Sequence, residues 1–152
     1  MACRDTMTSD PVLMGILLSD YVIREHGSGK FSLIGTFHVI HAQSFPFIAN
    51  QFFITILLTN LPAKFDQMDV VVRIEAQKSG HVLASATGNL KLPPESALPP
   101  DFVMQLPFLI PQFAIGEPGT YYVNVLVNNE PLGKRPFSVV RISPPPSPQV
   151  QQ

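Results

Sequence analysis

Apolar side chains recur with a period of two through a succession of segments, each about ten residues long and separated by turn chemistry. A period of two places successive side chains on opposite faces of an extended chain, so such a sequence builds sheet. Sixteen prolines in 152 residues point the same way, because proline inside a helix removes a hydrogen bond and clashes with the preceding turn.

Residues 12–24 open the series and are apolar on both faces for much of their length; the turn His26-Gly27-Ser28-Gly29-Lys30 joins them to residues 31–40 in a first hairpin. Residues 42–51 read as a loop containing Phe45-Pro46-Phe47, and 52–60 as a third, nearly all-apolar strand. Residues 69–78 and 82–91 alternate cleanly about Ser79-Gly80 and predict a second hairpin with one solvated face. Its inward set is Val70, Val72, Ile74 and Ala76 with Val82, Ala84, Ala86 and Leu90. Residues 93–100 form a proline-rich loop, and 102–110 a strand whose Pro107 fits an edge or irregular pairing. Residues 121–127 and about 132–142 make the last hairpin, turned by Asn128-Asn129, which tolerate positive φ. The expectation is an all-β chain of about eight antiparallel strands: an N-terminal segment (1–11), a β-sandwich domain (12–142) and a Pro-rich flexible tail (143–152).

Glu117-Pro118-Gly119-Thr120-Tyr121 leads into its strand as the penultimate strand of immunoglobulin-like domains begins, where a Tyr hydroxyl bonds back to upstream backbone. Tyr121 is either such a corner tyrosine or a core Tyr with another partner. Val123 stands where antibody domains carry a cysteine, and the chain has no Trp, so the expected form is a disulfide-free immunoglobulin-like, Greek-key sandwich. Two stretches carry a wider resemblance. One is Asp20-Tyr21-Val22-Ile23 with Gly29-Lys30-Phe31-Ser32-Leu33-Ile34-Gly35-Thr36-Phe37 and Phe45-Pro46; the other is Pro118-Gly119-Thr120-Tyr121 with Asn128-Asn129-Glu130-Pro131-Leu132-Gly133, Arg135-Pro136 and Val139. Over about residues 12–142 the chain resembles an uncharacterised bacterial domain-of-unknown-function family of small immunoglobulin-like β-sandwich proteins. The resemblance implies a fold and supplies no catalytic residue.

Ten Lys+Arg against eleven Asp+Glu give a net charge of −1, too few cations for the basic patch a nucleic-acid binder needs. The single cysteine, Cys3, forms no internal disulfide and favours a cytoplasmic protein. The apolar run at 12–18 is too short to span a bilayer and lacks a cleavage site, so neither a transmembrane segment nor a signal peptide is expected. His26, His38, His41 and His81 are scattered, and Asp66, Asp69 and Asp101 are too few for a calcium cluster, so no metal or cofactor is expected. No nucleophile elbow or phosphate loop occurs, and no catalytic residue is assigned.

The positive signal is surplus apolar surface. Phe52, Ile54, Ile56 and Leu58 point one way along their strand, and Phe53 and Leu57 the other; Met14, Ile16 and Leu18 likewise oppose Leu13 and Leu17. A two-layer sandwich buries only its inner faces. Phe53 and Leu57 are therefore the predicted partner contacts, unless a loop at 61–68 or 93–100 covers them. Phe45 and Phe47 either cap one end of the sandwich or add an exposed contact. The expected function is a non-enzymatic binding or assembly module engaging a protein partner or itself. The alternatives are an accessory subunit of an enzyme complex and a loop-based ligand-binding protein or hydrolase.

Overall fold

The computed structural model describes residues 11–61, 67–91 and 102–148. Among them the chain forms eleven strands: β1 (Val12–Arg24), β2 (Phe31–Phe37), β3 (Val39–Ala42), β4 (Phe47–Ala49), β5 (Phe52–Thr59), β6 (Gln67–Ala76), β7 (Val82–Lys91), β8 (Met104–Ile110), β9 (Phe113–Ile115), β10 (Gly119–Val127) and β11 (Glu130–Arg141). They build a four-stranded sheet in the order β2-β1-β5-β8, a five-stranded sheet in the order β3-β11-β10-β6-β7, and a short β4-β9 pair. The inward sets of the two larger sheets meet in one core. Ile16, Leu18, Ile54, Ile56 and Ile110 come from the first; Val70, Val72, Ile74, Val123, Val125 and Phe137 come from the second.

Several expected segments are divided or shifted. Residues 31–40 are two strands, not one. Backbone at His38 separates β2, which pairs with β1, from β3, which lies beside β11 in the other sheet. The β3–β11 pairing is parallel, whereas every strand was expected to pair antiparallel. Ser138 N–H donates to the His38 carbonyl at 3.1 Å, so the crossing point is itself tied to β11. The expected loop at 42–51 contains β4, which pairs with β9 through Phe47 and Ile115, Ile48 and Ala114, and Ala49 and Phe113. These added short strands raise the count above the expected eight.

Two bulges re-aim side chains. One between Leu13 and Gly15 turns Leu13 to the core and leaves Met14 exposed, so Met14 does not share the face of Ile16 and Leu18. The other, at Ile74/Glu75, pairs Glu75 with Val82 and leaves Val82 exposed, while Leu83 packs against the core in its place. An extra residue on one strand breaks the strict alternation that sequence patterning assumes. Along β10 the alternation holds from Tyr121 through Val123 to Val125; a further register shift between Val125 and Leu126 then leaves Leu126 and Val127 both buried, and Asn128 and Asn129 turn the hairpin with φ of 49° and 66°.

A charged side chain spans the two sheets. Arg135 pairs with Val123 and so sits on the inward side of β11, half-buried, where its guanidinium donates to the Ile16 carbonyl of β1. β2 reaches only as far as Leu18 along β1, and that carbonyl lies just beyond the end of the β1–β2 pairing.

Candidate functional site

The outer face of the β2-β1-β5-β8 sheet follows directly from the register. Ser19 pairs with Thr36 and Phe53, Tyr21 with Ile34, Leu17 with Thr55, Gly15 with Leu57, and Phe53 with Leu109. Residues paired across antiparallel strands project to the same side. Because Ile16, Leu18, Ile54 and Ile56 point into the core, this second set points out. It carries no Asp, Glu, Lys or Arg: its polar members are Ser19, Ser32, Thr36, Thr55, Thr59 and Gln105. The five-stranded sheet is the opposite case, with Asp69, Arg73, Glu75 and Lys134 on its outer side and Lys134 resting 4.5 Å from the centre of the Tyr122 ring.

The predicted contacts Phe53 and Leu57 both lie on this uncharged face and are half-buried. The face is wider than those two residues. Tyr21 is 64% exposed, Ile23 50%, Leu109 48% and Ile34 46%. Of the expected covering loops, 93–100 lies wholly outside the described residues, and so does 62–66 of the loop at 61–68. At the centre of the face Thr55 is buried by its large neighbours, and its hydroxyl has no hydrogen-bond partner among the described residues. Most buried hydroxyls find a partner, so this one is conspicuous. Ser19, equally buried, donates to the Tyr21 carbonyl at 3.2 Å.

Phe45 and Phe47 are not part of that face. Both pack against the core, flanking the cis Phe45–Pro46 bond; Arg141 lies 5.2 Å from the centre of the Phe45 ring. Phe47 also lines a second feature, a pocket of about 340 Å³ where the chain passes from β2 to β3. Phe37, Phe47 and Phe52 supply its aromatic wall, with Phe37 and Phe52 edge-to-face at 5.3 Å. Thr36, Asn50, Gln51 and Asp20 supply its polar groups. The Asp20 carboxylate rests on Gly35, whose φ is +69° and whose missing Cβ would lie 2.5 Å from Asp20 Oδ2. Only glycine accepts both the backbone conformation and that approach.

Tyr121 makes the corner contact its sequence context predicted: its hydroxyl donates to the Glu117 carbonyl at 2.6 Å. The ring stacks on Phe137 at 5.8 Å between centres. Burial pushes its phenol above the ordinary value of 10.0, and the Glu117 carboxylate adds to the shift. Among the described residues no three His, Cys, Asp or Glu side chains gather where they could share a metal ion. No helix among them is long and apolar enough to cross a membrane.

The alternation of Tyr21 and Ile23 against Leu18 already placed them opposite the core, so the breadth of the outer face was available from period two. The pocket was not, because it forms only where β2 crosses between sheets and β4 packs over the gap. Residues 15–140 match the model of a family described as a family of unknown function (DUF6941). No curated protein matches the sequence. Among solved structures the chain is similar to Pseudomonas fluorescens alkylpurine DNA glycosylase AlkC bound to DNA containing an abasic site analog, at 18% identity and a TM-score of 0.44. That likeness covers 87% of this chain and 31% of the glycosylase chain.

Proposed function

The chain belongs to the DUF6941 family, and we propose that it is a non-enzymatic assembly module that pairs with a second copy of itself through the outer face of the β2-β1-β5-β8 sheet. The observation that carries this reading is the uncharged set of paired outward positions, beside a five-stranded sheet whose outer side is charged. A solvated sheet face alternates polar outward residues with apolar inward ones. A face with Tyr21, Ile34, Phe53, Leu57 and Leu109 does not, and apolar patches of this kind mark interaction sites.

The same charge pattern selects the occupant. A partner that placed a charge on this face would leave it buried and unpaired, which is strongly unfavourable. A second copy offers an uncharged sheet of the same width, and a two-fold axis brings the two faces together as an isologous pair. Four strands spaced about 4.8 Å apart and paired over about seven residues give a footprint of about 450 Å² per copy. Twice that, about 900 Å², lies below the range of stable specific interfaces and within that of weak or transient ones, which fits reversible pairing.

Within this proposal the fold is an immunoglobulin-like sandwich. The order β7-β6-β10-β11 is that of strands C′, C, F and G, and the adjacency of β5 and β8 is that of B and E. Tyr121 on β10 then occupies the corner position of strand F. The partner is protein and not nucleic acid, given ten Lys+Arg against eleven Asp+Glu, and the lone Cys3 fits a cytoplasmic setting.

Sedimentation velocity over a micromolar concentration series tests the proposal. The wild-type chain is expected to shift from monomer to dimer, and Leu57→Lys to remain monomeric with unchanged circular dichroism. A monomer at every concentration sinks the reading. So does a dimer that is indifferent to both Leu57→Lys and Phe53→Asp. Recovery of a stoichiometric partner of another kind on the same face, with no self-association, overturns the choice of occupant.

A further inference from the structure

We propose that the pocket at the β2–β3 crossing binds an organic cation, an ammonium or guanidinium group on an apolar stem. This is the chemistry of a free arylalkylamine and equally of a lysine or arginine side chain on a partner. The inference stands apart from self-pairing, since Asp20 and the aromatic lining lie on the inward side of the sheet; Thr36 is the lining residue shared with its outer face.

The volume of about 340 Å³ is at the small end of ligand pockets, enough for one ring or one long side chain. Its lining includes the half-buried rings of Phe37 and Phe47 and the buried Phe52, which suit an apolar stem. Asp20 is the one charged residue in the lining. Four of the described cations make contacts elsewhere: Arg135 on the Ile16 carbonyl, Arg141 over Phe45, Arg24 over Phe31, and Lys134 over Tyr122. No described side chain makes a hydrogen bond or ion pair to the Asp20 carboxylate.

The carboxylate is exposed and lies close against the backbone of Gly35. Gly35 sits inside a strand, where glycine costs stability and marks a close approach; here the approaching group is Asp20 Oδ2, in the space a Cβ would fill. An anion against backbone at the edge of the pocket, with Asn50 and Gln51 in the same lining, presents acceptors to a donor-bearing cation. An anionic ligand meets repulsion at Asp20, and a neutral one forgoes the charge-assisted hydrogen bond.

Amide chemical shifts followed by NMR decide the matter, with phenethylammonium, its neutral counterpart 2-phenylethanol, and a doubly capped arginine as probes. Saturable shifts are expected at Gly35, Asn50 and Gln51 with a cation. Affinity is expected to be about tenfold weaker for 2-phenylethanol, and about tenfold weaker for the cation with Asp20→Asn. Saturation by the capped arginine assigns the site to a partner's side chain, and saturation by phenethylammonium alone assigns it to a free amine; either supports the proposal. Equal binding of the alcohol and the cation overturns it, as does failure of both cations to saturate. Should Asp20→Asn disturb the fold, the comparison of probes on the wild-type chain still decides.

Discussion

Tyr121→Phe deletes one oxygen and leaves the rest of the side chain in place. The ring is 4% exposed and stacks on Phe137, and phenylalanine keeps both its burial and its stacking. What is lost is the hydrogen bond from the hydroxyl to the Glu117 carbonyl, 2.6 Å long. One such bond contributes about 0.5–1.5 kcal/mol net. Glu117 is exposed, so water reaches its carbonyl in the variant and no acceptor is stranded, which puts the cost near 1 kcal/mol. For a chain of this size that lowers the thermal midpoint by roughly 2–4 °C, and with a urea slope of about 2 kcal/mol/M it moves the midpoint down by about 0.5 M. The pH dependence provides a second readout. Burial, and then the Glu117 carboxylate, raise the phenol's folded pKa above the unfolded value of 10.0. The folded state therefore holds its proton more tightly; the associated stability is complete below the unfolded pKa and falls away as pH rises through the folded one. Tyr121→Phe lacks that titration, so the gap between wild type and variant should narrow above about pH 10. Urea melts of the pair at pH 7 and across pH 8–11 measure both effects. An unchanged midpoint at pH 7, or a gap that stays constant with pH, would refute the corner role of this hydroxyl.

Thr55→Val removes a buried hydroxyl that has no hydrogen-bond partner among the described residues, and should raise the stability of the monomer by about 1 kcal/mol in urea melts. A lower midpoint would mean that the hydroxyl is satisfied after all. Gly35→Ala places a methyl 2.5 Å from Asp20 Oδ2 at a φ of +69° and should cost about 1–3 kcal/mol. The same change made in an Asp20→Ala background should cost less, retaining only the backbone part. Equal costs in the two backgrounds would show that the carboxylate is not pressed against Gly35.

Sequence periodicity read most clearly where both strands of a pair alternate without interruption. Val70, Val72 and Ile74 lie beside Val127, Val125 and Val123 on the inner face of one sheet, because each strand places every second residue on one side and nothing intervenes. It read poorly at Met14 and Val82, where a bulge adds one residue to a strand and reverses the side on which its neighbours fall. The division of residues 31–40 had no local marker. Phe37 and Val39 continue the alternation across His38, and only the competition between two sheets for the chain decides that β3 leaves β1 for β11. The outer apolar face could be read from Phe53 and Leu57, since a strand apolar on both sides cannot bury both in two layers. The pocket could not, because Asp20, Gly35, Asn50 and Phe47 approach one another through tertiary packing and share no spacing in the chain.

The parallel pairing of β3 with β11 also bears on how the chain reaches this state. It joins a strand from the first third of the chain to the last strand of the fold, so the five-stranded sheet is incomplete until the C-terminal hairpin is present. Closing so long a loop is entropically costly before any contact repays it, and topologies dominated by distant pairings fold slowly. During synthesis β1, β2 and β5 emerge first, with Ile16, Leu18, Ile54 and Ile56 on one side and Phe53 and Leu57 on the other. Until β6 and β7, and then β10 and β11, arrive there is no complete opposing layer for the inward set. The nascent chain thus passes through a stage with apolar side chains exposed on two sides, the condition in which partly folded chains are prone to aggregate.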